Sequence, residues 1–330
     1  MKTNIRDWLR TLTGGQVDGS EQGLRYFLGG AYNGIYFSMT TQYPLGTNIY
    51  DREWDLLIVL DACRVDALRE VAPEFEFIDR VDSVWSMGSS SHEWLCKTFT
   101  EEHADEISDT VYLSTNPHTQ PTFEDGKRPP RKYITPVTWA DWDVVDESQF
   151  KLLKQFSRHH RYEDHFDTIP PNVVTDQAIS AGRDLDFERM ILHYYQPHRP
   201  HVASAYREQR DITDAEDHPW EAIQRGEISR QDAWENYLDN LRLVLGSIRR
   251  LLDNVDAERV AITADHGELF GEMKQYGHPE GIPHPDLKKV PWAVTSATDH
   301  ETSTPRADIT EQEKPSQADV EDRLEHLGYI

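Results

Sequence analysis

The sequence predicts an α/β fold with a mostly parallel central sheet. Five short apolar runs are typical of strands buried on both faces, and segments with helical periodicity separate them. The runs lie at 56–60, 110–114, 190–195, 260–263 and 290–295. The clearest helix is predicted from about 229 to 252, where apolar residues recur every three or four positions and Ser229 with Asp232 forms a capping signal.

Composition narrows the class of protein. The 330 residues include 37% hydrophobic residues and nine Trp, which is enough for a large core and excludes a disordered chain. The net charge of −25 repels phosphate backbones, so no nucleic-acid partner is expected. Acidic residues are spread over the whole length, which is typical of an acidic, halophilic surface.

The chain ends and the two cysteines support further predictions. Residues 1–49 are expected to pack on the core, 298–318 to form a polar linker, and 319–330 to dock as a helix. The apolar stretch at 23–39 is too short to span a bilayer, and core docking is favoured over binding to a membrane surface. Because Cys63 and Cys96 are too few for a disulfide framework, a cytoplasmic location is predicted.

Three predicted strands are followed by polar side chains at their carboxyl ends, where open α/β sheets place their sites. Asp61 follows the first strand, a segment from His193 to His198 follows the third, and Asp265 with His266 follows the fourth. Two carboxylates and an imidazole suit one divalent cation. A single Asp of this kind is more often the cap of the next helix, but the pairing of Asp265 with His266 favours a metal site.

A serine-rich segment at 86–91 precedes another predicted helix. Ser91 stands at the expected N-cap, where free backbone N–H groups suit an alkoxide nucleophile or a bound phosphate or sulfate. Taken alone, the segment fits a plain capping loop better than a nucleophile.

These segments, in this order, closely resemble the sulfatase-like branch of the alkaline phosphatase superfamily, in a haloarchaeal type. The resemblance extends from about 51 to 292 and includes the C-terminal Arg-Leu-Glu-His-Leu-Gly-Tyr. It implies an alkaline phosphatase-like three-layer α/β/α sandwich with a catalytic domain over 50–297. Its motifs are Leu-Ile-Val-Leu-Asp61-Ala-Cys-Arg64, the serine-rich helix start, Gln196-Pro-His198-Arg-Pro, Ile-Thr-Ala-Asp265-His266-Gly-Glu, Tyr-Gly-His278-Pro and Val290-Pro-Trp.

The resemblance implies a metal centre and a nucleophile. Asp61 corresponds to the first metal carboxylate of the family, and Asp265 with His266 corresponds to its later metal-binding pair. Ser91 corresponds to the metal-bound nucleophile, with Ser90 as the alternative.

It also implies residues that contact the substrate. His278 resembles the last histidine of the family, which contacts the transferred group or a second metal. His198 resembles the mid-chain histidine that contacts substrate or metal. Arg64 is expected to face the leaving oxygens, and a salt bridge to Asp66 or Glu70 is the alternative.

Two departures from the family pattern bear on the chemistry. The segments after Cys63, Cys96 and Ser91 do not match the Cys/Ser-x-Pro/Ala-x-Arg motif of classical sulfatases, so no formylglycine is expected. Gln196 stands where dinuclear phosphatases have an Asp, and a neutral amide is a poorer metal ligand. One divalent ion, Ca, Mg, Mn or Zn, is therefore predicted, and a second is in doubt.

The predicted function is a metal-dependent hydrolase or transferase that acts on a phosphate or sulfate ester through a covalent seryl intermediate. An unmodified serine favours phosphoryl or phosphoglycerol-type transfer. One alternative is a catalytically degenerate sulfatase-like protein that binds an anionic glycan or a protein partner. The other is an unrelated α/β protein in which Asp61 and His266 lie far apart.

The substrate pocket is expected to form from two polar, proline-punctuated segments, 119–136 and 201–225, predicted as long loops. Their vicinity contains arginines suited to an anionic ester substrate, namely Arg128, Arg131, Arg199 and Arg207. The sequence predicts no particular substrate, metal or oligomeric state.

Overall fold

A seven-stranded sheet lies at the centre of the computed structural model, which describes residues 2–3, 21–131, 135, 137–156, 168–305 and 317–326. The strands, in chain order, are β1 Leu56–Leu60, β2 Asp82–Trp85, β3 Thr110–Ser114, β4 Leu152–Gln155, β5 Arg189–Tyr194, β6 Ala257–Thr263 and β7 Lys289–Ala297. Across the sheet they lie in the order β2, β7, β6, β1, β5, β3, β4.

The sheet is mostly parallel. Strand β7 is antiparallel to both of its neighbours, β2 and β6. The pairs from β6 to β4 are all parallel, with Ile58 of β1 opposite Leu192 of β5 and Ile262 of β6. The predicted α/β class is confirmed, and the strand predicted at 290–295 proves to be the antiparallel one.

Helices cover both faces of the sheet. The α-helices of the described residues are α1 Glu21–Thr40, α2 Val65–Val71, α3 Ser91–Thr98, α4 Ala104–Ser108, α5 Thr119–Phe123, α6 Pro171–Asp184, α7 Ala203–Glu208, α8 Asp214–Asp217, α9 Pro219–Arg225, α10 Arg230–Leu252, α11 Pro285–Lys288 and α12 Gln317–His326. Short 3-10 turns occupy Ile49–Asp51, Ala72–Glu74, Glu101–His103, Glu147–Gln149 and Glu272–Lys274. Two-residue strands pair Lys2–Thr3 with Val137–Thr138, and Leu269–Phe270 with Tyr276–Gly277.

Strand β1 shows why the fold has three layers. All five of its residues are buried, and successive side chains point to opposite faces. Ile58 packs into a cluster with α2, α6 and α10, whereas Leu57 and Val59 pack into a second cluster that contains Trp94 and Phe99. The predicted α/β/α sandwich is therefore confirmed.

One predicted helix is confirmed and one predicted loop is wrong. Helix α10 begins after Ser229, whose side chain accepts a hydrogen bond from the Asp232 N–H. Segment 201–225 is not a long loop, because it contains α7, α8 and α9. A capping box starts α8, and Pro219 is the first residue of α9, a position where proline is favoured. The described part of 119–136 begins with α5, and residues 132–134 and 136 lie outside the described residues.

The chain ends are described in part. Helix α1 buries Tyr36 and Phe37, and α12 buries Val320 and Leu324. Predictions for 4–20, 306–316 and 327–330 lie outside the described residues. In the part of the chain that the structure describes, no helix combines the length and hydropathy needed to cross a membrane.

Candidate active site

The carboxyl ends of β1 and β6 bring three predicted metal ligands together. Asp61, Asp265 and His266 are buried, and each offers a ligand atom within 4.8 Å of the other two. Nε2 of His266 lies 3.7 Å from Oδ1 of Asp61 and 3.4 Å from Oδ2 of Asp265. The alternative in which the sheet holds Asp61 and His266 far apart is wrong.

The turn after β1 is shaped to meet Asp265. Ala62 has a φ of 61°, in the left-handed region, and its N–H donates to Oδ1 of Asp265 at 3.1 Å. Tyr237 of α10 holds this turn, because its hydroxyl donates to the Ala62 carbonyl at 2.8 Å and accepts from the Arg64 N–H at 2.9 Å. Gly267 is required beside the ligands, since a Cβ there would collide with the carbonyl oxygen of Asp286.

The protonation states of the cluster suit a cation. Burial opposes ionisation of Asp265, but His266, His193 and hydrogen bonds outweigh it and hold its pKa well below the usual value. Burial lowers the pKa of His266, so its imidazole is neutral. Its Nδ1 lies 2.7 Å from the Gly267 carbonyl, so Nδ1 carries the hydrogen and the Nε2 lone pair faces the carboxylates. Oδ2 of Asp265 is buried without a hydrogen-bond partner among the described residues, as expected for a cation ligand.

Two more side chains join this cluster that were not predicted as site residues. Nε2 of His193, in β5, lies 3.5 Å from Oδ2 of Asp265 and 4.0 Å from Oδ2 of Asp61. Asn116 donates to Oδ2 of Asp61 at 2.8 Å. Both residues stand at or just past the carboxyl end of a predicted strand, so strand position was the available signal.

The two candidate nucleophiles have different environments. Ser90 is the N-cap of α3, and its hydroxyl oxygen accepts a hydrogen bond from the Glu93 N–H at 3.4 Å, so the prediction of Ser91 as the N-cap is wrong. Ser91 is the first helical residue, and its Oγ lies 3.1 Å from Nε2 of His266. The helix therefore begins one residue earlier than predicted, and the Ser91 hydroxyl faces the cluster of Asp61, Asp265 and His266.

A buried ionic network supports the nucleophile segment. The Glu93 carboxylate accepts hydrogen bonds from Ser89, from Tyr36 of α1 at 3.1 Å and from Lys97 at 2.6 Å. Burial opposes its ionisation, but Lys97, Lys288 and these hydrogen bonds lower the pKa of Glu93 to about 2. Through Glu93, helix α1 is joined to the start of α3.

Lys288 gives this network a pH dependence. Its Nζ is buried without a hydrogen-bond partner in the described part of the chain, and burial lowers its pKa from 10.5 to about 8. Between pH 8 and pH 10.5 the Lys288 amine is protonated in the unfolded chain but largely neutral in the folded protein. The free energy of unfolding therefore rises with pH, by up to about 1.4 kcal/mol per pH unit. Below about pH 8 the folded protein bears the full cost of burying the charged Lys288 amine.

We therefore expect Lys288→Met to stabilise the fold at pH 8 and to lose this advantage by about pH 10.5. Urea unfolding across this range measures it, and the exposed neighbour Lys289→Met is the matched control. If the difference in free energy of unfolding between Lys288→Met and the wild type does not change with pH, Lys288 is not a buried, charged group.

A second group of possible ligands lies beside the first. Atoms of His198, Glu268 and His278 lie within 4.8 Å of one another. Nδ1 of His278 is 3.1 Å from Oε1 of Glu268, and the ring centroids of His278 and His266 are 4.4 Å apart. Gln196 donates its amide to the Ile169 carbonyl at 3.2 Å. The carboxylate of this group thus comes from Glu268, for which the sequence predicted no role although it lies in the Asp-His-Gly-Glu motif.

Arg64 is engaged by carboxylates. Its guanidinium pairs with Asp66 at 2.7 Å and with Glu272 at 3.2 Å, so the salt bridge to Asp66 is the alternative that the structure contains. Among the loop arginines, Arg207 pairs with Asp239 at 2.8 Å. Arg128 and Arg199 donate to backbone carbonyls, and the backbone N–H of Arg131 donates to Glu280.

Two other buried histidines near the nucleophile were not predicted. The rings of His92 and His118 stack with centroids 4.9 Å apart. Burial lowers the pKa of His92 to about 3 and that of His118 well below its usual value, so both are neutral.

Fold and site define an α/β protein in which a serine hydroxyl meets carboxylates and imidazoles, the residue types that can bind a cation, at the carboxyl ends of parallel strands. No protein-family model matches the sequence. No curated protein matches it either.

Several solved structures are similar to this chain. One is the soluble domain of lipooligosaccharide phosphoethanolamine transferase A from Neisseria meningitidis, with 13% identity, a TM-score of 0.44, and coverage of 87% of this chain and 91% of that one. Another is the periplasmic domain of phosphoethanolamine transferase EptC from Campylobacter jejuni, at 15% identity, a TM-score of 0.41, and 82% and 88% coverage. A third is a putative sulfatase from Bacteroides thetaiotaomicron, at 11% identity, a TM-score of 0.42, and 83% and 70% coverage.

Proposed function

We propose that this protein is a metal-dependent hydrolase or transferase that acts on a phosphate or sulfate ester through Ser91. One observation carries the proposal. The Oγ atom of Ser91 lies 3.1 Å from Nε2 of His266, which itself lies within 4 Å of two buried carboxylates. A hydroxyl placed in this way among cation ligands matches an activated nucleophile.

The residues of the cluster fit a divalent cation. Asp61, Asp265 and His266 would hold it, since they combine two carboxylates with a neutral imidazole, and Oδ2 of Asp265 is buried without a hydrogen-bond partner among the described residues. When bound, such an ion supplies Lewis-acid stabilisation of the ester oxygens and lowers the pKa of a nearby hydroxyl. The ion is one of Ca, Mg, Mn and Zn.

The side chains have distinct roles in this proposal. Ser91 Oγ loses its proton to water and forms a bond to the phosphorus or sulfur as the bond to the leaving oxygen breaks and that oxygen takes a proton from His278. Water or an acceptor hydroxyl then displaces Ser91 and returns a proton to His278. Backbone N–H groups at the start of α3 stabilise the developing negative charge. We assign His278, held by Glu268, as the proton donor to the leaving oxygen, and His198 as a group that positions the ester. An unmodified serine favours phosphoryl transfer over sulfate hydrolysis.

Activity with paired soluble substrates tests the function. We expect a chelated sample to be inactive toward an aryl phosphate, a phosphodiester and an aryl sulfate, and one of the four ions to restore turnover of at least one of them. Asp265→Asn keeps the size of the side chain but removes its charge, so it should lower the restored rate by at least about 100-fold. The exposed Asp186→Asn is the matched control.

Full activity after complete removal of metal, or in Asp265→Asn, would contradict the proposal. Failure to turn over any substrate with any ion would instead support the alternative of a non-catalytic protein that binds an anionic glycan or a protein partner. The halophilic character and the cytoplasmic location stay predictions.

A further inference from the structure

A charge-free segment interrupts the acidic sequence. Residues 26–50 contain no Asp, Glu, Lys or Arg, although charged residues make up 28% of the chain and its net charge is −25. This segment covers most of α1 and the residues that follow it. A surface formed by residues 26–50 is therefore uncharged, whereas an average surface of this protein is acidic.

Helix α1 turns apolar side chains toward solvent. Leu28, Tyr32, Ile35 and Met39 follow one another at intervals of four, three and four residues, so they lie along one face of the helix. Their exposed fractions are 56%, 46%, 61% and 62%. The opposite face is buried and includes Phe37. The exposed stripe takes no part in the packing of the buried face.

The stripe continues beyond the helix. Tyr43 and Leu45 are 76% and 52% exposed, and Trp139 is 53% exposed. The Trp139 N–H donates to Oγ of Ser38 at 2.8 Å, which places this tryptophan beside the carboxyl-terminal half of α1. These three residues and the four of the stripe are here called the α1 patch. Monomeric soluble proteins seldom expose contiguous apolar surface of this kind without an interaction partner.

The α1 patch borders the candidate site. The Tyr32 hydroxyl donates to the Gly281 carbonyl at 2.7 Å, three residues after His278. One turn further along α1, the Tyr36 hydroxyl donates to Glu93 at 3.1 Å, two residues after Ser91. A partner seated on the patch would therefore lie close to the segments that carry Ser91 and His278.

The composition of the patch indicates which partner fits it. Tyrosine and tryptophan beside an aliphatic helix face are typical of side chains at a lipid–water interface. A second copy of this chain would bring another net charge of −25 to the contact, and such like charges repel. An uncharged lipid surface carries no such penalty. Anionic headgroups are not favoured, because the patch contains no Lys or Arg to bind them.

We propose that the α1 patch docks this protein on an uncharged lipid surface and holds the candidate site against esters carried at that surface. The docking itself is independent of the proposed function, whereas the assignment of a lipid-borne ester as substrate rests on it.

Vesicle sedimentation of the full chain tests the docking. We expect the wild type to bind phosphatidylcholine vesicles, and anionic phosphatidylglycerol mixed into them to weaken binding. A triple variant with Leu28→Gln, Ile35→Gln and Met39→Gln should bind at least about tenfold more weakly, since three apolar side chains no longer leave water. Val294→Gln changes a residue that is 56% exposed on β7, and it should bind like the wild type.

A pair outside the helix, Tyr43→Gln with Leu45→Gln, repeats the test without altering α1, and melting temperatures show that each variant is folded. A wild type that does not sediment with vesicles overturns the docking. A wild-type dimer that becomes monomeric in the triple variant overturns it in favour of a second copy as partner.

Hydrolysis of a soluble aryl ester separates this inference from the proposed function. Loss of vesicle binding in the triple variant, with unchanged turnover of the soluble ester, supports both the docking and the proposed function. Vesicle binding by a protein with no esterase activity supports the docking and overturns the assignment of a lipid-borne ester. Equal rates toward soluble and vesicle-borne esters in the wild type and the triple variant would also overturn that assignment.

Discussion

Replacement of Ser91 by alanine should lower kcat for ester turnover by at least about 1,000-fold. The reason is that Ser91 Oγ is the hydroxyl placed 3.1 Å from Nε2 of His266, and alanine leaves no atom there to attack the ester. Metal content and melting temperature should remain close to those of the wild type, because Ser91 is not the cap of α3. Steady-state kinetics, metal analysis and thermal unfolding of the same samples measure all three.

Ser90→Ala is the matched control for this experiment. Ser90 accepts the Glu93 N–H as the N-cap of α3, so its loss should cost about 1 kcal/mol of stability and leave most of the activity. The reverse pattern, in which Ser90→Ala is inactive and Ser91→Ala retains full turnover, would transfer the role of nucleophile to Ser90.

Glu93→Ala should lower the free energy of unfolding by about 3–5 kcal/mol. The side chain is completely buried, and its removal would leave the buried Lys97 ammonium with Thr40 as its remaining hydrogen-bond partner among the residues that the structure describes. Lys288, which has no hydrogen-bond partner in the described part of the chain, would lose a neighbouring negative charge. Urea unfolding at pH 7 measures the change.

The contribution of Glu93 to the free energy of unfolding should decrease at low pH. The pKa of Glu93 falls from 4.5 to about 2 on folding, so its stabilisation is present above pH 4.5 and is lost as the pH falls toward 2. The exposed pair of Arg225 with Glu227 supplies the control, because Glu227→Ala removes a solvent-screened ion pair and should leave the free energy of unfolding nearly unchanged. A small effect of Glu93→Ala at pH 7 would show that the network does not hold α1 against α3.

The elements that could be predicted are those with a strong local signal. The buried run at 56–60 and the capped, amphipathic α10 stand out by hydropathy and by cap residues. Strands β2 and β4 were not predicted, because they lie at the two edges of the sheet and are only partly buried. An edge strand needs few apolar residues, so its sequence resembles that of a loop.

The site residues that could be predicted were also those with a strong local signal in the sequence. Asp61, Asp265 and His266 could be predicted to converge because parallel strands bring their carboxyl ends to one edge of the sheet. The roles of His193 and Glu268 depend on side-chain direction and on pairing across the sheet, and neither is visible in a single sequence. The role of Arg64 toward the leaving oxygens stays a prediction, because a guanidinium suits an anion but in the structure it pairs with Asp66 and Glu272.

The hydrogen bond from Ala62 to Asp265 has a consequence for how this protein folds. It joins residues 203 positions apart, and the ladder between β1 and β6 spans a similar separation. Closing a loop of this length lowers the entropy of the chain before any stabilising contact has formed. Pairings between such distant segments therefore form slowly. During synthesis, Asp61 and Ser91 emerge long before His266. The proposed cation site and nucleophile therefore come together only when β6 pairs with β1, so a nascent chain that ends before residue 257 lacks the proposed site.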